Sequence, residues 1–574
     1  MKKNYLVFFI TFLLVITWNS LDTKACTNFL FTKGATTDGS TMITYTADSH
    51  TLYGELYYRP AADYPENAML DIYEWDTGKF LGKIKQVRHT YSVIGNMNEY
   101  QVSIGETTYG GRKELHHQPD AIMDYGSLMY IALQRAKTAR EAIKVMTELV
   151  AEYGYYSEGE SFSISDPNEV WIMDMIGKGN EGQKGAVWVV RKIPDGYISA
   201  HANQARITTF PFSKENNFFD KNQTTFCSND VISFAKWKGY FKGKDKDFSF
   251  SDTYAPVDFS GARFCEIRVW AMFRRVNSEM DKDKYIDYVR GIIKKDKNGY
   301  AKNRIPLWVK PDKKISLHDV IGLLRDHLEG TEFDMTKDIG AGPFGLPYRL
   351  RPLTWKVDSV EYVNERATST QQTGFSFIAQ ARSWLSDPIA GIFWFGVDDN
   401  NSCCYVPMYC GMTKVPESYA VGNGNMLEYS DNSAFWAFNE VSNFAYLKYD
   451  VMIKDIQKVQ KELETKFIDY TPVIDLAAQK LYETDKNLAR QFITDYSVAQ
   501  GNYTVKRWKE LRKYLLIKYI DGNVKKEENG HFKKTKDGMP VYPAQNGYPE
   551  WWYREIIKNT GDKLKVIEDK KTQK

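Results

Sequence analysis

The order of apolar and polar positions along this chain predicts strands first, helices next and then strands again. Short apolar or alternating segments over residues 27–31 and 41–45 flank a turn at 37–40. Residues 121–152 instead repeat apolar positions at helical spacing. Because strands and helices do not alternate regularly, the pattern favours an α+β body over a βαβ succession. Further strands are expected at 98–108, 161–164, 170–175, 187–191, 197–200, 374–380, 389–395 and 404–409, and further helices at 267–295 and 317–329.

Two strand pairings follow from the short connections between these segments. The strand at 161–164 should form a hairpin with the strand at 170–175 around Asp166-Pro167-Asn168. The strands at 187–191 and 197–200 are close enough in sequence to be predicted as a second pair.

From about residue 430 the chain changes to long amphipathic or aromatic segments. Residues 433–446, 451–467 and 473–520 have helical spacing, and the polar stretch 525–536 is predicted to be an exposed loop. We therefore divide the chain into a leader over 1–25, a body over 26–430 and a helical appendage over 431–574 that packs on the body.

The leader has the features of a secretory signal peptide. Lys2 and Lys3 precede an apolar run at 6–18, which is too short to span a membrane as a helix. The tripeptide 23–25, Thr-Lys-Ala, places small residues at the −3 and −1 positions of a signal-peptidase site. This pattern predicts cleavage after Ala25 and export to the periplasm or the exterior.

Cleavage after Ala25 would leave Cys26 with both a thiol and a free α-amine. Such an amine titrates near pH ~8, so a useful fraction is neutral at physiological pH and can accept the thiol proton. Cys26 is therefore a candidate nucleophile that needs no histidine partner. Two alternatives are an ordinary cysteine near a mature terminus and an acylated lipoprotein cysteine, although Thr23 and Lys24 depart from the usual lipobox.

Composition narrows the function classes. The chain has 574 residues and a formal net charge of +3, which gives no electrostatic basis for binding nucleic acid. Beyond the leader, no apolar stretch is long enough to span a membrane. The six cysteines form no CxxC pair and have no zinc-type spacing with histidine. We therefore expect no metal or cofactor and cysteines buried in the core without disulfides, and we leave a homo-oligomer open.

Several motifs follow Cys26 in a consistent order. Together they resemble peptidase family C69, bacterial dipeptidases that belong to the N-terminal nucleophile hydrolases, over most of residues 26–420. The motifs are Cys26-Thr27-Asn28, Asp38-Gly39-Ser40-Thr41-Met42-Ile43, Asp48-Ser49, Asn98-Glu99, Gly159-Glu160-Ser161-Phe162, Asp166-Pro167-Asn168-Glu169-Val170-Trp171, His201-Ala202-Asn203-Gln204-Ala205-Arg206-Ile207, Gly342-Pro343-Phe344-Gly345, Arg349-Leu350-Arg351-Pro352-Leu353-Thr354-Trp355, Ser369-Thr370-Gln371-Gln372-Thr373-Gly374 and Trp394-Phe395-Gly396-Val397-Asp398-Asp399.

The resemblance implies a four-layer αββα sandwich with the helical appendage at its C-terminus. It implies that Cys26, at the end of a central strand, attacks the carbonyl of a short peptide and forms an acyl-thioester. Two other functions remain open: hydrolysis of a different N-acyl substrate, such as a conjugated bile acid, and ligand binding by a lipid-anchored protein.

The resemblance also implies roles for individual residues. Asp48 matches an aspartate that orients the terminal amine, and Asn203 matches an asparagine that donates to the oxyanion. Arg268 is the better match to a site arginine and Arg263 is the alternative. Tyr45 stands where the family of choloylglycine hydrolases, more distant relatives, has a further arginine; it can donate a hydrogen bond but supplies no charge.

Three neighbouring features complete the site prediction. The remaining oxyanion donor is expected at Thr107 or Thr108. His201 lies beside Asn203, but a lone histidine at a strand end is more often a structural residue. The glycine-rich run at 105–111 lacks the ending and the helix of a phosphate-binding loop.

Overall fold

The computed structural model describes residues 26–181, 183–281, 283–349 and 352–567, so the predicted signal peptide lies outside the described residues. The strands are β1 (Asn28–Phe31), β2 (Thr41–Asp48), β3 (Tyr58–Arg59), β4 (Ala62–Asp63), β5 (Met69–Tyr73), β6 (Phe80–Lys85), β7 (His89–Thr90), β8 (Val93–Ile94), β9 (Met97–Asn98), β10 (Ser103–Tyr109), β11 (Gly159–Ser165), β12 (Val170–Gly177), β13 (Ala186–Lys192), β14 (Ile198–His201), β15 (Thr225–Cys227), β16 (Trp308–Val309), β17 (Thr354–Val357), β18 (Val360–Val363), β19 (Thr373–Ala381), β20 (Ile392–Val397), β21 (Val406–Tyr409), β22 (Glu527–Glu528) and β23 (His531–Phe532).

The helices occur in two groups, one within the body and one after it. They are α1 (Tyr125–Arg135), α2 (Ala139–Tyr153), α3 (Val231–Trp237), α4 (Phe250–Tyr254), α5 (Ile267–Val276), α6 (Asp283–Val289), α7 (Leu317–Leu324), α8 (Asp387–Ala390), α9 (Ala434–Leu447), α10 (Tyr449–Thr484), α11 (Lys486–Tyr519) and α12 (Glu550–Thr560).

The first large sheet places the start of the described chain at its centre. Its strand order is β16-β14-β1-β2-β19-β20-β21, and neighbouring strands are antiparallel. The predicted hairpin of β1 and β2 is confirmed, with Gly39 in the turn at φ 79°. Cys26 comes two residues before β1, and Thr27 bridges to Thr46 near the end of β2. The candidate nucleophile therefore lies at the end of a central strand.

The second large sheet faces the first. Its order is β15-β13-β12-β11-β10-β9-β8-β3, and β10 and β11 contact β2 across the space between the sheets. The predicted hairpin of β11 and β12 is confirmed. The predicted pairing of 187–191 with 197–200 is wrong, because β13 pairs with β12 and β15 whereas β14 pairs with β1 and β16. The chain changes sheets at the turn between β13 and β14.

Helices cover the outer side of each sheet and confirm an α+β arrangement. Helices α1 and α2 share a core with the second sheet that includes Leu133, Ile143 and Trp171. The predicted single helical segment at 121–152 is two helices, because Ala136 is extended and Thr138 caps α2 by accepting from the Glu141 N–H.

Other predicted elements have different ends in the structure. The expected strand at 98–108 is interrupted by a turn with Gln101 at φ 67° before β10 begins. The expected helix at 267–295 stops at Val276, where Asn277 is extended. Cys403 and Cys404 are buried as predicted, but they precede β21 and do not lie within it.

The C-terminal helices pack on the first sheet. Helix α11 lies antiparallel to α10 and contacts β21, and α9 contacts β20. Leu463, Phe467 and Trp508 are fully buried in the same hydrophobic core as the strands of the first sheet. The proposed boundary at residue 430 stays a prediction. Among the described residues, none of the helices combines the length and apolarity that a membrane crossing requires.

Candidate active site

Cys26 opens onto a cavity of about 470 Å³ between the two sheets and α1. Its side chain is buried, with 7% exposed, and its sulfur lies 3.5 Å from the Tyr45 hydroxyl. The cavity is lined by Cys26, Tyr45, Asp48, Ser49, Thr51, Leu52, Tyr57, Trp75, Asp76, Thr77, Asn96, Glu106, Thr108, Tyr125, Met129, Tyr130 and Phe375. A space of this size, with a thiol at its wall, can hold a small ligand.

Arg268 holds the backbone at Cys26. Its Nη1 donates to the Cys26 carbonyl at 2.6 Å and to Thr27 Oγ1 at 2.7 Å, and its Nη2 donates to Asn203 Oδ1 at 2.9 Å. The arginine lies near the start of α5, directly after a π-helical turn at Gly261–Glu266. Burial lowers the Arg268 pKa to about 10, helped by the nearby charge of Arg366, so it stays protonated at neutral pH.

The two arginine candidates of the sequence have different environments. Arg268 contacts Cys26, whereas Arg263 forms a salt bridge with Glu365 and stacks its guanidinium 4.5 Å from the centroid of the Phe333 ring. The structure thus brings Arg268, and not Arg263, to Cys26.

Asp48 lies at the end of β2 and belongs to a buried ion pair. Its Oδ2 accepts from Arg366 Nη2 at 2.6 Å and from Thr46 Oγ1 at 3.1 Å, and its Oδ1 accepts from Thr373 Oγ1 at 2.7 Å. Both members of the pair are about 1% exposed. Arg366 therefore supplies Asp48 with a positive charge that Tyr45, at the position of the expected arginine, does not supply.

Tyr45 instead connects the nucleophile to Glu106. The Tyr45 hydroxyl donates to Glu106 Oε1, and that same oxygen lies 3.9 Å from the Cys26 sulfur. Glu106 projects from β10 within the run that the sequence excluded as a phosphate loop, and that run is a buried strand. Glu106 was not among the site residues predicted from the sequence, although its carboxylate lies close to the Cys26 thiol.

A second buried carboxylate lies beside Glu106. Glu160 of β11 pairs with Thr108 across the strands, and the Thr108 hydroxyl donates to Glu160 Oε1 at 2.7 Å. Burial and the neighbouring charge of Glu106 raise the pKa of Glu160 well above its usual range. The surroundings of Glu160 therefore favour its neutral acid form over the carboxylate.

Asn203 follows β14 in a left-handed conformation at φ 53°, which asparagine tolerates better than most residues. Its Nδ2 donates to the Thr108 carbonyl at 2.6 Å, while its Oδ1 accepts from Arg268. This network brings Asn203, Arg268 and Thr108 to the Cys26 end of β1. The oxyanion roles predicted for Asn203 and Thr108, and the role of Arg268 as the site arginine, stay predictions.

Thr107 faces away from the cavity, unlike Thr108. Its hydroxyl lies 2.7 Å from His201 Nδ1, and His201 Nε2 lies 2.7 Å from Ser163 Oγ. Burial lowers the His201 pKa to about 3, so the ring is neutral. His201 therefore has the contacts of a structural histidine, and Thr108 is the threonine of the two that lines the cavity.

The environment of Cys26 opposes thiolate formation. Burial raises the pKa of the thiol well above 9, and the charges of Glu106 and Asp48 raise it further. Because the thiolate is the reactive form, this thiol needs a base that removes its proton as it attacks. In the described part of the chain all six cysteines are free, and no group of His, Cys, Asp and Glu is arranged to hold a metal ion.

The chain matches the description "Peptidase family C69" over residues 25–462, a match that begins one residue before Cys26. This chain belongs to peptidase family C69. As a C69 member it is a hydrolase of peptide bonds, and its buried thiol at the cavity is consistent with a cysteine-type enzyme.

Named C69-like relatives agree with this membership. The chain is 22% identical to a probable dipeptidase of Latilactobacillus sakei over 87% of this chain and 96% of the relative. It is 21% identical to a probable dipeptidase B of Streptococcus pyogenes serotype M1, over 86% and 93% of the two chains. A probable dipeptidase of Salmonella dublin is 22% identical over 71% of this chain and 85% of the relative.

Two charged residues of this C69 site were missed from the sequence. Glu106 lies in a glycine-rich run, and its alternation with Ile104 and Thr108 could have indicated a strand that presents a carboxylate. Arg366 lies in no motif and is 318 positions from its partner Asp48. No local signal could have assigned Arg366 to the site.

Proposed function

We propose that this chain is an exported cysteine dipeptidase in which Cys26 is the N-terminal nucleophile. The observation that carries the proposal is the thiol of Cys26, which opens onto a cavity in a chain that matches peptidase family C69 from residue 25. The names of the relatives support dipeptides as substrates. The two facing sheets with helices outside them support the four-layer αββα fold of N-terminal nucleophile hydrolases.

The proposed reaction begins after signal peptidase cleaves behind Ala25. The freed α-amine of Cys26 accepts the thiol proton while sulfur attacks the scissile carbonyl carbon, and a tetrahedral oxyanion forms. The carbon–nitrogen bond then breaks, and the leaving amine takes the proton from the α-ammonium group. Water adds to the resulting thioester with the amine again as base, and the carboxylic acid and the thiol are released.

The surrounding residues suit these steps. Asp48, held by Arg366, supplies negative charge near the terminus and favours the charged form of the amine. Arg268 fixes the Cys26 carbonyl and the Asn203 amide, so both are ordered before substrate arrives. Asn203 Nδ2 retains a second N–H beyond the one donated to Thr108, and it can donate to the developing oxyanion.

The test compares two chains that differ only at the terminus. One begins at Cys26, and the other carries a single uncleaved alanine before it, so that both have the same thiol. We expect only the first to hydrolyse dipeptides, because an amide nitrogen in the second chain is not basic. Equal activity would overturn the N-terminal amine mechanism, and a thioether-linked lipid on Cys26 in mass spectra of the exported protein would overturn the free terminus.

A further inference from the structure

Glu106 places a carboxylate close to the nucleophile inside the substrate cavity. Its Oε1 lies 3.9 Å from the Cys26 sulfur and accepts a hydrogen bond from Tyr45. Asp76 also lines the cavity, on the side of Tyr125, whose hydroxyl donates to it at 3.0 Å. The thiol and the carboxylates thus face the same space, which a peptide must enter to react.

The distances fit a peptide with a free amino terminus. In such a peptide the α-nitrogen lies about 2.5 Å from the scissile carbonyl carbon, separated by one Cα. A carbonyl carbon about 3–3.5 Å from sulfur and an ammonium about 2.8 Å from a carboxylate oxygen are both reachable when that oxygen and the sulfur are 3.9 Å apart. A carboxylate much farther from the thiol could not contact both groups of one residue.

We propose that the Glu106 carboxylate binds the α-ammonium group of the substrate's first residue, and that it thereby restricts the enzyme to peptides with an unblocked amino terminus. This inference rests on the proposed function, since it assigns the first residue of the dipeptide to the acyl side of the thioester. Glu160 lies on the neighbouring strand, and of the two glutamates it is Glu106 that lines the cavity.

The same contact explains how a thiol in an acidic cavity reacts. The charge of Glu106 disfavours the thiolate at Cys26. A bound ammonium offsets that charge next to the sulfur, so the correct substrate makes deprotonation of its own nucleophile easier. An N-acyl substrate has no such cation to place next to the carboxylate. Glu106 therefore favours unblocked peptides both when they bind and when the thiol is deprotonated to attack them.

The walls of the cavity suit an amino-acid side chain next to the ammonium. Trp75 lies 5.3 Å from the Tyr57 ring and 4.9 Å from the Tyr130 ring, and together they form one aromatic side. Aromatic surface of this kind offers apolar contact to a substrate side chain. We therefore expect aromatic and aliphatic first residues to be accepted.

The experiment compares kcat/KM for peptides that carry an α-ammonium group with kcat/KM for analogues that lack it. Ala-Ala and Phe-Ala are each compared with a desamino analogue, in which hydrogen replaces the α-ammonium group. For wild type we expect kcat/KM to be roughly 10- to 100-fold higher for the unblocked peptides. Glu106→Gln should reduce that ratio to near one by lowering the rate for the unblocked peptides alone. Glu74→Gln, on the hairpin that carries Trp75 but outside the cavity lining, is the matched control and should keep the wild-type ratio.

Binding to an inactive background separates the two proposals. In Cys26→Ala, calorimetry should give tighter binding of Phe-Ala than of its desamino analogue, and adding Glu106→Gln should remove the difference. If Cys26→Ala binds with this selectivity but the wild type hydrolyses neither peptide, the proposed function fails and the ammonium site stands. If wild type hydrolyses dipeptides and Glu106→Gln keeps the ratio, or lowers both rates equally, the ammonium site is overturned.

Discussion

Two pairs of buried acidic residues in this protein differ in what lies next to them: a cavity for one pair and a packed helix for the other. Glu106 and Glu160 lie on neighbouring strands beside the catalytic cavity, whereas Asp398 and Asp399 follow β20 beneath the C-terminal helices. Burial raises a pKa in both pairs: that of Glu160 well above its range, and that of Asp398 to about 7, with Asp399 adding to the shift. Burial and like charge alone therefore do not identify a functional site.

The contacts of the aspartate pair come from the chain itself. Asp398 accepts from Asn439 Nδ2 at 2.9 Å and from Ser442 Oγ at 2.6 Å, both on α9. Asp399 accepts from the hydroxyls of Tyr348 at 2.6 Å and Tyr446 at 3.1 Å. These bonds join helix α9 to the sheet, so the aspartates act in docking the appendage.

The glutamate pair differs because one of its members faces a cavity that also contains the Cys26 thiol. Glu106 lies against the thiol and can meet a ligand, while the aspartates lie between two elements of the fold. The role of a buried carboxylate therefore depends on what the tertiary structure places next to it. A packed helix gives it a structural role, whereas an open cavity lets it meet a ligand. Four changes test this contrast, beginning with the one of largest expected effect.

Cys26→Ala should lower turnover by about 10⁴-fold or more, because it removes the group that we propose forms the thioester. The melting temperature should change little, since the side chain loses only its sulfur at the wall of a cavity. Cys227→Ala, which removes a buried thiol from β15 away from the cavity, is the control and should keep kcat. Residual activity of Cys26→Ala near that of wild type would exclude Cys26 as the nucleophile.

Asn203→Gly should lower kcat by roughly 10²–10³-fold with a smaller change in KM, because the second amide N–H is proposed to donate to an oxyanion that forms only during the reaction. Glycine accepts the left-handed backbone at this position, so the variant removes the side chain without adding backbone strain. Steady-state kinetics and thermal melting are measured on the same preparation. A loss of melting temperature with unchanged kcat would assign Asn203 to stability only.

Asp398→Asn should change the pH dependence of stability and leave kcat of the folded enzyme unchanged. Because the folded pKa of Asp398 is raised above the ordinary 3.8, its stabilising contribution is complete below about pH 4 and is lost as pH rises through about 7. The loss amounts to at most about 4 kcal/mol for a shift of this size. Asparagine is neutral throughout, so the variant should lack this decline in melting curves between pH 4 and pH 8.

The exposed Asp431→Asn on the segment before α9 is the control for that measurement and should keep the wild-type slope. If the melting temperature of Asp398→Asn falls with pH as steeply as that of wild type, other groups produce the pH dependence of stability. The aspartate pair would then no longer serve as the structural counterpart of the glutamate pair.

Chelation should have the smallest effect of the four. EDTA should leave kcat and the melting temperature unchanged, since the proposed chemistry uses a thiol and an amine, and neither acidic pair is arranged as a metal site among the described residues. Activity lost to EDTA and restored by a divalent cation would show that one of the acidic pairs holds a metal ion.

The sequence by itself determined the features that depend on neighbouring residues. The apolar pattern predicted the hairpins of β1 with β2 and of β11 with β12, and the motif order predicted the family. Cys26, Asp48, Asn203 and Arg268 were selected from motifs, and all four lie at one end of the central strands. Their selection was possible because each is adjacent to a recognisable local pattern.

Tertiary structure decided which distant groups meet. Glu106 reaches Cys26 from 80 positions away, and Arg366 reaches Asp48 from 318 positions away. The same applies to β13 and β14, which are close in sequence and yet belong to different sheets. Local patterns specify strands and turns through short-range sterics and burial, but the charge that a thiol experiences depends on strand order and sheet packing, which bring remote residues together.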